Sequence, residues 1–276
     1  MEPISPPPRR ARSRTAPAVQ ITDADRALLA FAAEHRFVLA AQVAALLDVT
    51  SAAAEARLRR LGQGGHLRRH KEIHRGPTWH QITRAGLRTI ASNLPAPRGF
   101  DLATHRHDAG LGWLVLAARA GRFGPLADVI CERRMRSHDG RAEGRAQRYG
   151  VRLGGPGAGG RDRLHYPDLV VVTGSGHRVA FELELSTKGR ARREQILTGY
   201  AADRRIDAVV YLVERASVGR AIERSAARIG ISEIVRVQRA TMAPSVAASA
   251  TARTAQRAGA RRQAGQASQA GQEQGR

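Results

Sequence analysis

Three acidic residues and one lysine in the second half of the chain have the types and spacing of a metal site. Asp168 stands before the apolar run "LVVV", and Glu182, Glu184 and Lys188 lie in the later segment "FELELSTK". Because side chains alternate along a strand, Glu182 and Glu184 are expected on the same face. The short turn "TGSG" joins the two segments, so Asp168 and Glu182 can occupy adjacent positions of one hairpin.

Converging carboxylates repel one another unless a cation lies between them, and hard oxygen ligands suit Mg²⁺ or Mn²⁺. Such an ion also binds phosphate oxygens and can activate water for attack on phosphorus. Lys188, one of only two lysines among 46 basic residues, could stabilise the charge that develops on the phosphate. We therefore predict Asp168 and Glu182 as metal ligands, and these two with Glu184 and Lys188 as catalytic residues.

A structural interpretation of the same acids stays open. Glu182 and Glu184 could pair with basic residues of the segment that follows them, and such networks also shift pKa values. The candidates for that pairing are Arg190, Arg192 and Arg193. Tyr200, further along the predicted helix, either packs in the core or lies with Arg193 near a bound phosphate.

The composition points to a polyanionic partner. The chain has 46 Lys and Arg residues against 24 Asp and Glu residues, a formal net charge of +22, which fits nucleic acid best. No apolar run approaches the roughly 18 residues of a membrane-spanning helix, and no signal-peptide pattern opens the chain. We expect no membrane contact and a cytoplasmic location. The single cysteine, Cys131, excludes an internal disulfide and a cysteine-based zinc site.

The two ends of the chain are low in complexity and poor in apolar residues. Residues 1–20 contain "PPPRRARSR" and residues 239–276 contain "AGQASQAGQEQGR". Both segments are predicted to be disordered. They carry +3 and +5 of the net charge, so most of the positive charge belongs to the part expected to fold.

Residues 21–92 predict a small helical unit. A first helix follows the potential N-cap Thr22, a second contains Leu39 to Leu47, and a third begins at Thr50 or Ser51. Two short alternating runs in "HLRRHKEIHRGPTWHQIT" then predict a basic hairpin. Three helices followed by a hairpin is the order of a winged helix, whose third helix enters the DNA major groove.

This order nominates a set of basic DNA contacts, on the third helix and on the hairpin. An ordinary solvated charged face is the alternative for them. The predicted contacts are Arg57, Arg60, Arg68, Arg69 and Lys71. Residues 93–100, which overlap the segment "SNLPAPRG" at 92–99, predict a linker by their Pro and Gly content.

Residues 101–238 predict an α/β domain. Its pattern has the order α-β-β-β-α-β with a further αβ pair, and a long Gly- and Arg-rich loop reaches to about residue 164. The segments are a helix at 102–120, a strand at 126–133, the strands "YPDLVVV" and "RVAFELEL", a helix at 189–203, the strand "DAVVYLV", a helix at 217–229 and the strand "EIVRVQ".

The acids and the order of elements resemble the PD-(D/E)XK nuclease superfamily, whose restriction-endonuclease-like core has this α-β-β-β-α-β order and a mixed sheet. The resemblance makes Asp168 the first metal-binding acid and Glu182 the second. Glu184 stands where that superfamily usually has a catalytic lysine. It is then a candidate general base, and Lys188 a lysine that has migrated.

More narrowly, residues 22–215 resemble the replication-relaxation family of plasmid and mobile-element proteins. The motifs that carry the resemblance are "HDAGLGWLVL", "CERRMR", "YPDLVVV", "VAFELELSTKGRARREQIL" and "AVVYLV". The resemblance implies a DNA-binding protein of plasmid replication or relaxation that cleaves or nicks double-stranded DNA with Mg²⁺ or Mn²⁺. Other replication proteins and a second copy of the chain are further candidate partners. The alternative is a DNA-binding regulator or replication accessory factor whose nuclease-like domain is inactive.

Overall fold

The computed structural model describes residues 19–71, 77–99, 101, 103–141, 148–157 and 162–241. Across these residues the chain has an α/β architecture, with eight helices and a mixed five-stranded sheet. The predicted disordered tails lie almost wholly outside the described residues, as does the tip of the predicted hairpin. None of the helices in the described ranges is long and apolar enough to cross a membrane.

The first part of the chain is mainly helical and contains a small antiparallel sheet in the order β1-β3-β2. Its elements are α1 (Asp23–Glu34), β1 (Val38–Leu39), α2 (Ala40–Leu47), α3 (Ser51–Gln63), β2 (Leu67–His70), β3 (Trp79–Ile82) and α4 (Arg84–Thr89). The three predicted helices and both predicted runs of the hairpin are present.

Local sequence explains where these helices begin. Thr22 caps α1 through a capping box, because its hydroxyl accepts from the backbone of Asp25 while the Asp25 carboxylate accepts from the backbone of Thr22. Thr50 caps α3 by accepting from Ala53. Both N-caps agree with the sequence-based prediction.

The second part carries the larger sheet. Its elements are α5 (His105–Arg119), β4 (Leu126–Cys131), α6 (Glu132–Asp139), β5 (Val151–Pro156), β6 (Asp162–His165), β7 (Leu169–Thr173), β8 (Arg178–Glu184), α7 (Arg190–Ala202), β9 (Ala208–Val213), α8 (Ala216–Ile229) and β10 (Val235–Arg239). The sheet order is β10-β9-β8-β7-β4, in which β8, β9 and β10 run parallel and β4, β7 and β8 pair antiparallel.

Strand β8 separates two hydrophobic clusters, as alternation along a strand requires. Phe181 and Leu183 belong to the cluster on the α5 side of the sheet. Ala180 points the other way, into the cluster that contains Tyr200 of α7 and Ile222 of α8. Glu182 and Glu184 share the α7 side by the same alternation, which is the face predicted for them.

The predicted long loop up to residue 164 was wrong for much of its length. Helix α6 begins at Glu132, so β4 ends two residues earlier than predicted, and the β5–β6 hairpin occupies part of the later segment. Helix α6 and the β5–β6 hairpin were missed because their sequences are mostly polar and contribute few side chains to the core. Met135 of α6 is fully buried, and Val151 of β5 packs in the cluster beneath α7. Such contacts leave little periodicity to detect.

The two parts of the chain share one core. Leu28, Leu58 and Ile82 of the first part belong to the same hydrophobic cluster as Leu114 and Phe181 of the second. A polar contact reinforces the junction: the buried side chain of Gln42 in α2 donates to the carbonyl oxygen of Ala109 in α5 at 2.8 Å. Helix α5 is therefore packed between the first part and the sheet.

Candidate functional site

Asp168 lies just before β7 and next to β8. Its Oδ2 atom accepts from the backbone N–H of Leu183 at 2.8 Å and lies 3.0 Å from Nε2 of His107 in α5. The pairing of β7 with β8 ends at Leu169 and Phe181, so Asp168 lies just beyond the end of the strand pair. Asp168 contacts α5, whereas Glu182 lies on the α7 side of the sheet.

Glu182 is almost completely buried, with 3 % of its surface exposed. Its Oε1 atom accepts from Nε2 of His165 at 2.6 Å and from the hydroxyl of Tyr200. Burial alone would raise the pKa of Glu182, but the charge and hydrogen bond of His165 outweigh it and lower the pKa. Glu182 is therefore a carboxylate held by two donors.

Glu184 lies one pleat further along β8, nearer to solvent. Its Oε2 atom accepts from Nζ of Lys188 at 2.5 Å. Burial raises the pKa of Glu184 despite the neighbouring ammonium, and Glu182 and Asp168 add to the rise. Burial lowers the pKa of Lys188, but the charges of Glu182 and Glu184 outweigh it and raise that pKa above its ordinary value. Lys188 is accordingly a cation rather than a base.

His107 connects the acids to the start of α5. Burial lowers its pKa, but the neighbouring carboxylates of Asp108 at 3.8 Å and Asp168 at 3.0 Å outweigh burial and raise the pKa to about 10. Asp108 is itself fixed by the hydroxyl of Thr104 at 3.0 Å and lies 3.7 Å from Arg36. His107 is therefore an imidazolium at neutral pH, with about a third of its side chain exposed.

The acids thus have partners, but not the arginines that the sequence nominated. Among the described residues, Arg190 pairs with Glu194 and Arg192 with Gln195. Arg193 donates to the hydroxyl of Ser225 and to the carbonyl oxygen of Lys188. The structural alternative therefore holds in part: the acids are paired within the protein, but these three arginines contact α7, α8 and the backbone of Lys188 instead.

Tyr200 combines both interpretations that the sequence left open. It is 1 % exposed and packs in the cluster beneath α7, yet its hydroxyl donates to Glu182. It lies within the acid site as a buried donor. Arg193 does not contact the acids; it links Ser225 of α8 to the backbone of Lys188 through two hydrogen bonds.

The hydrogen bonds to each acid converge on one of its two oxygens. They involve Oδ2 of Asp168, Oε1 of Glu182 and Oε2 of Glu184. Within the described ranges, no hydrogen bond reaches the other oxygen of any of these three carboxylates. One lone-pair-bearing oxygen per acid is therefore uncommitted.

The described residues contain no metal site built from protein ligands alone. No group of three or more His, Cys, Asp or Glu side chains in the described part of the chain could hold a metal ion. Mg²⁺ does not require such a cage, because it commonly binds one or two carboxylates and fills its remaining positions with water and substrate phosphate. The uncommitted oxygens of Asp168 and Glu182 fit that donor set.

Two of the predicted DNA contacts, Arg57 and Arg60, form ion pairs with a buried carboxylate of the first part. Arg57 contacts Oδ1 of Asp25 at 2.7 Å and Arg60 contacts Oδ2 at 2.5 Å, while the Asp25 side chain is completely buried. Arg60 also donates to the carbonyl oxygen of Gln20. Both arginines turn towards Asp25 in the first turn of α1 and remain only partly exposed, so the ion pair competes with the DNA contact predicted for them.

The predicted contacts on the hairpin differ from one another. Arg68, Arg69 and Lys71 are all exposed. Arg69 pairs in register with His80 and shares a groove with α3, whereas Arg68 pairs with Gln81. Lys71 is the last described residue before the tip.

Two functional neighbours of the acids were not among the predicted site residues. His107 begins the motif "HDAGLGWLVL", but nothing in the sequence shows that it contacts Asp168, because that contact depends on how α5 packs on the sheet. His165 ends β6, a strand that sequence analysis assigned to a loop. The one available signal was its position three residues before Asp168 in "HYPD".

No protein-family model, curated protein or solved structure matches this chain in sequence or structural comparison.

Proposed function

We propose that the chain binds double-stranded DNA and cleaves or nicks it by Mg²⁺-dependent phosphodiester hydrolysis. Mn²⁺ would serve in place of Mg²⁺. A role in plasmid or mobile-element replication or relaxation follows from the resemblance described above. The site that carries the proposal is formed by Asp168, Glu182, Glu184 and Lys188.

One observation carries the enzymatic part of the proposal. Asp168 lies beside β8, where its Oδ2 atom accepts from the backbone N–H of Leu183, and Glu182 lies in β8 itself; each acid has one oxygen without a hydrogen-bond partner among the described residues. Two hard oxygens on adjacent strands suit a divalent cation that also binds phosphate.

The order of elements in the first part supports DNA binding. Helices α1 to α3 followed by the β2–β3 hairpin, with β1 added at the edge of β3, have the order of a winged helix. In that arrangement α3 enters the major groove and the hairpin contacts the backbone. The net charge of +22 would draw the duplex to this surface.

The residues of the site have separable roles. Asp168 and Glu182 would hold the cation, which supplies Lewis-acid polarisation of a phosphate oxygen and a bound water of lowered pKa. His165 and Tyr200 fix the Glu182 carboxylate by donating to Oε1. Glu184 has a raised pKa and can accept a proton from water. The ammonium of Lys188 can offset negative charge on the phosphate.

The test uses supercoiled plasmid, purified full-length protein and Mg²⁺, with an EDTA control. We expect conversion to open-circular or linear DNA, and loss of at least about a hundredfold in rate for Asp168→Asn. Asp23→Asn is the matched control, because Asp23 is an exposed acid in the first turn of α1. Equal rates for wild type and Asp168→Asn, or no conversion by either, would refute the enzymatic proposal.

A second candidate function is supported by a different observation. Every acid of the site already has a hydrogen-bonding partner: His107 for Asp168, His165 and Tyr200 for Glu182, and Lys188 for Glu184. The carboxylates of such a site have protein donors without a metal cation. A DNA-binding regulator or replication accessory factor with an inactive nuclease-like domain would therefore be stable, and it would bind the plasmid with the same affinity in Mg²⁺ and in EDTA.

A further inference from the structure

A groove about 320 Å³ in volume separates α3 from the β2–β3 hairpin. Ser51, Glu55 and Arg59 of α3 line one wall, and Arg69 and His80 of the hairpin line the other. Ser51, Glu55 and Arg59 are spaced four residues apart, so they form a single stripe along the helix. This stripe lies on a different face from Arg57 and Arg60, which contact Asp25.

The charged side chains of the groove are not committed to protein partners. Glu55, Arg59 and Arg69 are exposed, and none of them forms an ion pair or hydrogen bond within the described ranges. Glu55 and Arg59 are one helical turn apart, a spacing at which an ion pair can form, but these two side chains do not pair with each other. Both side chains are therefore available to a ligand.

His80, a third kind of side chain along the groove, is almost completely buried. His80 is 6 % exposed, and its Nδ1 atom has no hydrogen-bond partner among the described residues. Burial lowers the pKa of His80 to about 4, so its ring is neutral at physiological pH. The cations of the groove are thus confined to its two rims, at Arg59 and Arg69.

A carboxylate in this position argues against a surface that contacts phosphates alone. Two like charges about 4 Å apart repel by about 1 kcal/mol even in bulk water, and by more at an interface. Glu55 is tolerated on a DNA-binding face where it meets base edges, because a carboxylate accepts from the amino group of cytosine N4. Arg59 is matched to guanine, whose O6 and N7 atoms accept both guanidinium donors.

We propose that Glu55 and Arg59 are the base-reading residues of this protein, and that they select a duplex site containing G·C pairs. The proposal rests on the DNA-binding part of the proposed function and is independent of cleavage. Four residues of helix span about 6 Å, close to twice the 3.4 Å repeat of a DNA strand. The two residues therefore read base pairs about two steps apart, while Arg69 contacts the backbone.

The experiment selects bound sequences from a pool of random duplexes with the full-length protein in EDTA, which prevents cleavage. Wild type is expected to enrich a motif that contains G·C pairs. Arg59→Ala should lose the preference for guanine at one position, with about a tenfold to hundredfold weaker affinity for the selected site. Glu55→Ala should lose the preference at a position about two base pairs away. Arg69→Ala should weaken selected and scrambled duplexes equally and reduce the salt dependence.

Arg88→Ala is the matched control, since Arg88 is an exposed arginine of α4 outside the groove. It should leave the selected motif unchanged. An unchanged motif in both Glu55→Ala and Arg59→Ala would overturn the inference while leaving DNA binding intact, as would wild-type binding with no sequence preference. Failure of wild type to bind any duplex would overturn both this inference and the DNA-binding part of the proposed function.

Discussion

Asp168, Glu182 and Glu184 form a cluster of carboxylates that is stable because each acid has its own donor. Glu182, the most buried, receives two hydrogen bonds from neighbours that are themselves largely buried. Glu184 accepts a hydrogen bond from the partly exposed Lys188, and Asp168 is paired with the partly exposed His107. The partners that a cation or phosphate would displace are thus the accessible ones, whereas the buried bonds of Glu182 would persist.

Asp25 has the opposite role, since it stabilises the fold of the first part. Its buried carboxylate accepts from Thr22, Arg57 and Arg60. Burial raises its pKa, but the hydrogen bonds outweigh burial and hold the pKa well below the ordinary 3.8. We expect Asp25→Ala to lower the free energy of unfolding by about 3 kcal/mol at pH 7, measured by urea denaturation.

The pH dependence of that loss follows from the direction of the shift. A carboxylate whose pKa is depressed in the folded state stabilises fully above its unfolded pKa, and the stabilisation declines as the pH falls towards the folded value. The difference in stability between wild type and Asp25→Ala should therefore shrink below about pH 4. Asp23→Ala, two residues earlier and exposed, is the control and should cost less than about 1 kcal/mol. A difference that stays constant down to pH 2.5 would contradict the explanation.

Residue positions could be predicted where they follow from a strand's own period. The common face of Glu182 and Glu184 needed only alternation along β8, and the short turn was enough to expect Asp168 beside that strand. The partners of the acids could not be predicted in this way. His107 depends on how α5 packs on the sheet, and the inward turn of Arg57 and Arg60 depends on a carboxylate more than thirty residues away in sequence.

Helices α2 and α5 approach each other closely where the two parts of the chain meet. Gly112 of α5 faces Gln42 so closely that an added Cβ would lie 2.4 Å from its Nε2 atom. Gln42 is fully buried and also accepts from the backbone N–H of Leu39 at 2.9 Å. The contact therefore fixes α2 against the helix that carries His107.

We expect Gly112→Ala to lower the free energy of unfolding by about 1–3 kcal/mol, because the methyl group must displace Gln42 from its hydrogen bonds. Gly62→Ala is the matched control: it also lies in a helix, and the nearest atom to its added Cβ is 3.9 Å away. That change should be neutral or stabilising by up to about 1 kcal/mol. Equal effects of the two substitutions in urea denaturation would contradict the role of this contact.

Elements with strong periodicity were predicted, and those held by isolated contacts were not. The apolar runs of β7, β8 and β9 and the apolar faces of α1 to α3 indicate their own structure. Strand β1 has two residues and exists only through pairing with β3. Helix α6 and the β5–β6 hairpin are mostly polar, so their sequences favour a loop until the rest of the fold covers Met135 and Val151.

At the scale of the whole molecule, the hydrophobic cluster joins the two predicted domains. The sequence places a linker at 93–100, and this segment does follow α4, but residues from α1 to α3 and from the α5 face of the sheet belong to one cluster. Polar contacts cross the junction as well, from Arg133 to the carbonyl oxygens of Ala33 and Pro95. DNA bound to the first part would thus be held at a fixed distance from Asp168.

A shared core predicts that the two parts unfold together. The chain has two tryptophans, Trp79 in β3 of the first part and Trp113 in α5 of the second, and each can report on its own part. In Trp113→Phe the remaining fluorescence follows the first part, and in Trp79→Phe it follows the second. We expect the urea midpoint from fluorescence to match that from far-ultraviolet circular dichroism in each variant, because loss of either part exposes the cluster of the other. A lower urea midpoint for the fluorescence of Trp79 alone would show instead that the first part unfolds as a separate domain. In that case the shared core would not hold bound DNA at a fixed distance from the acids.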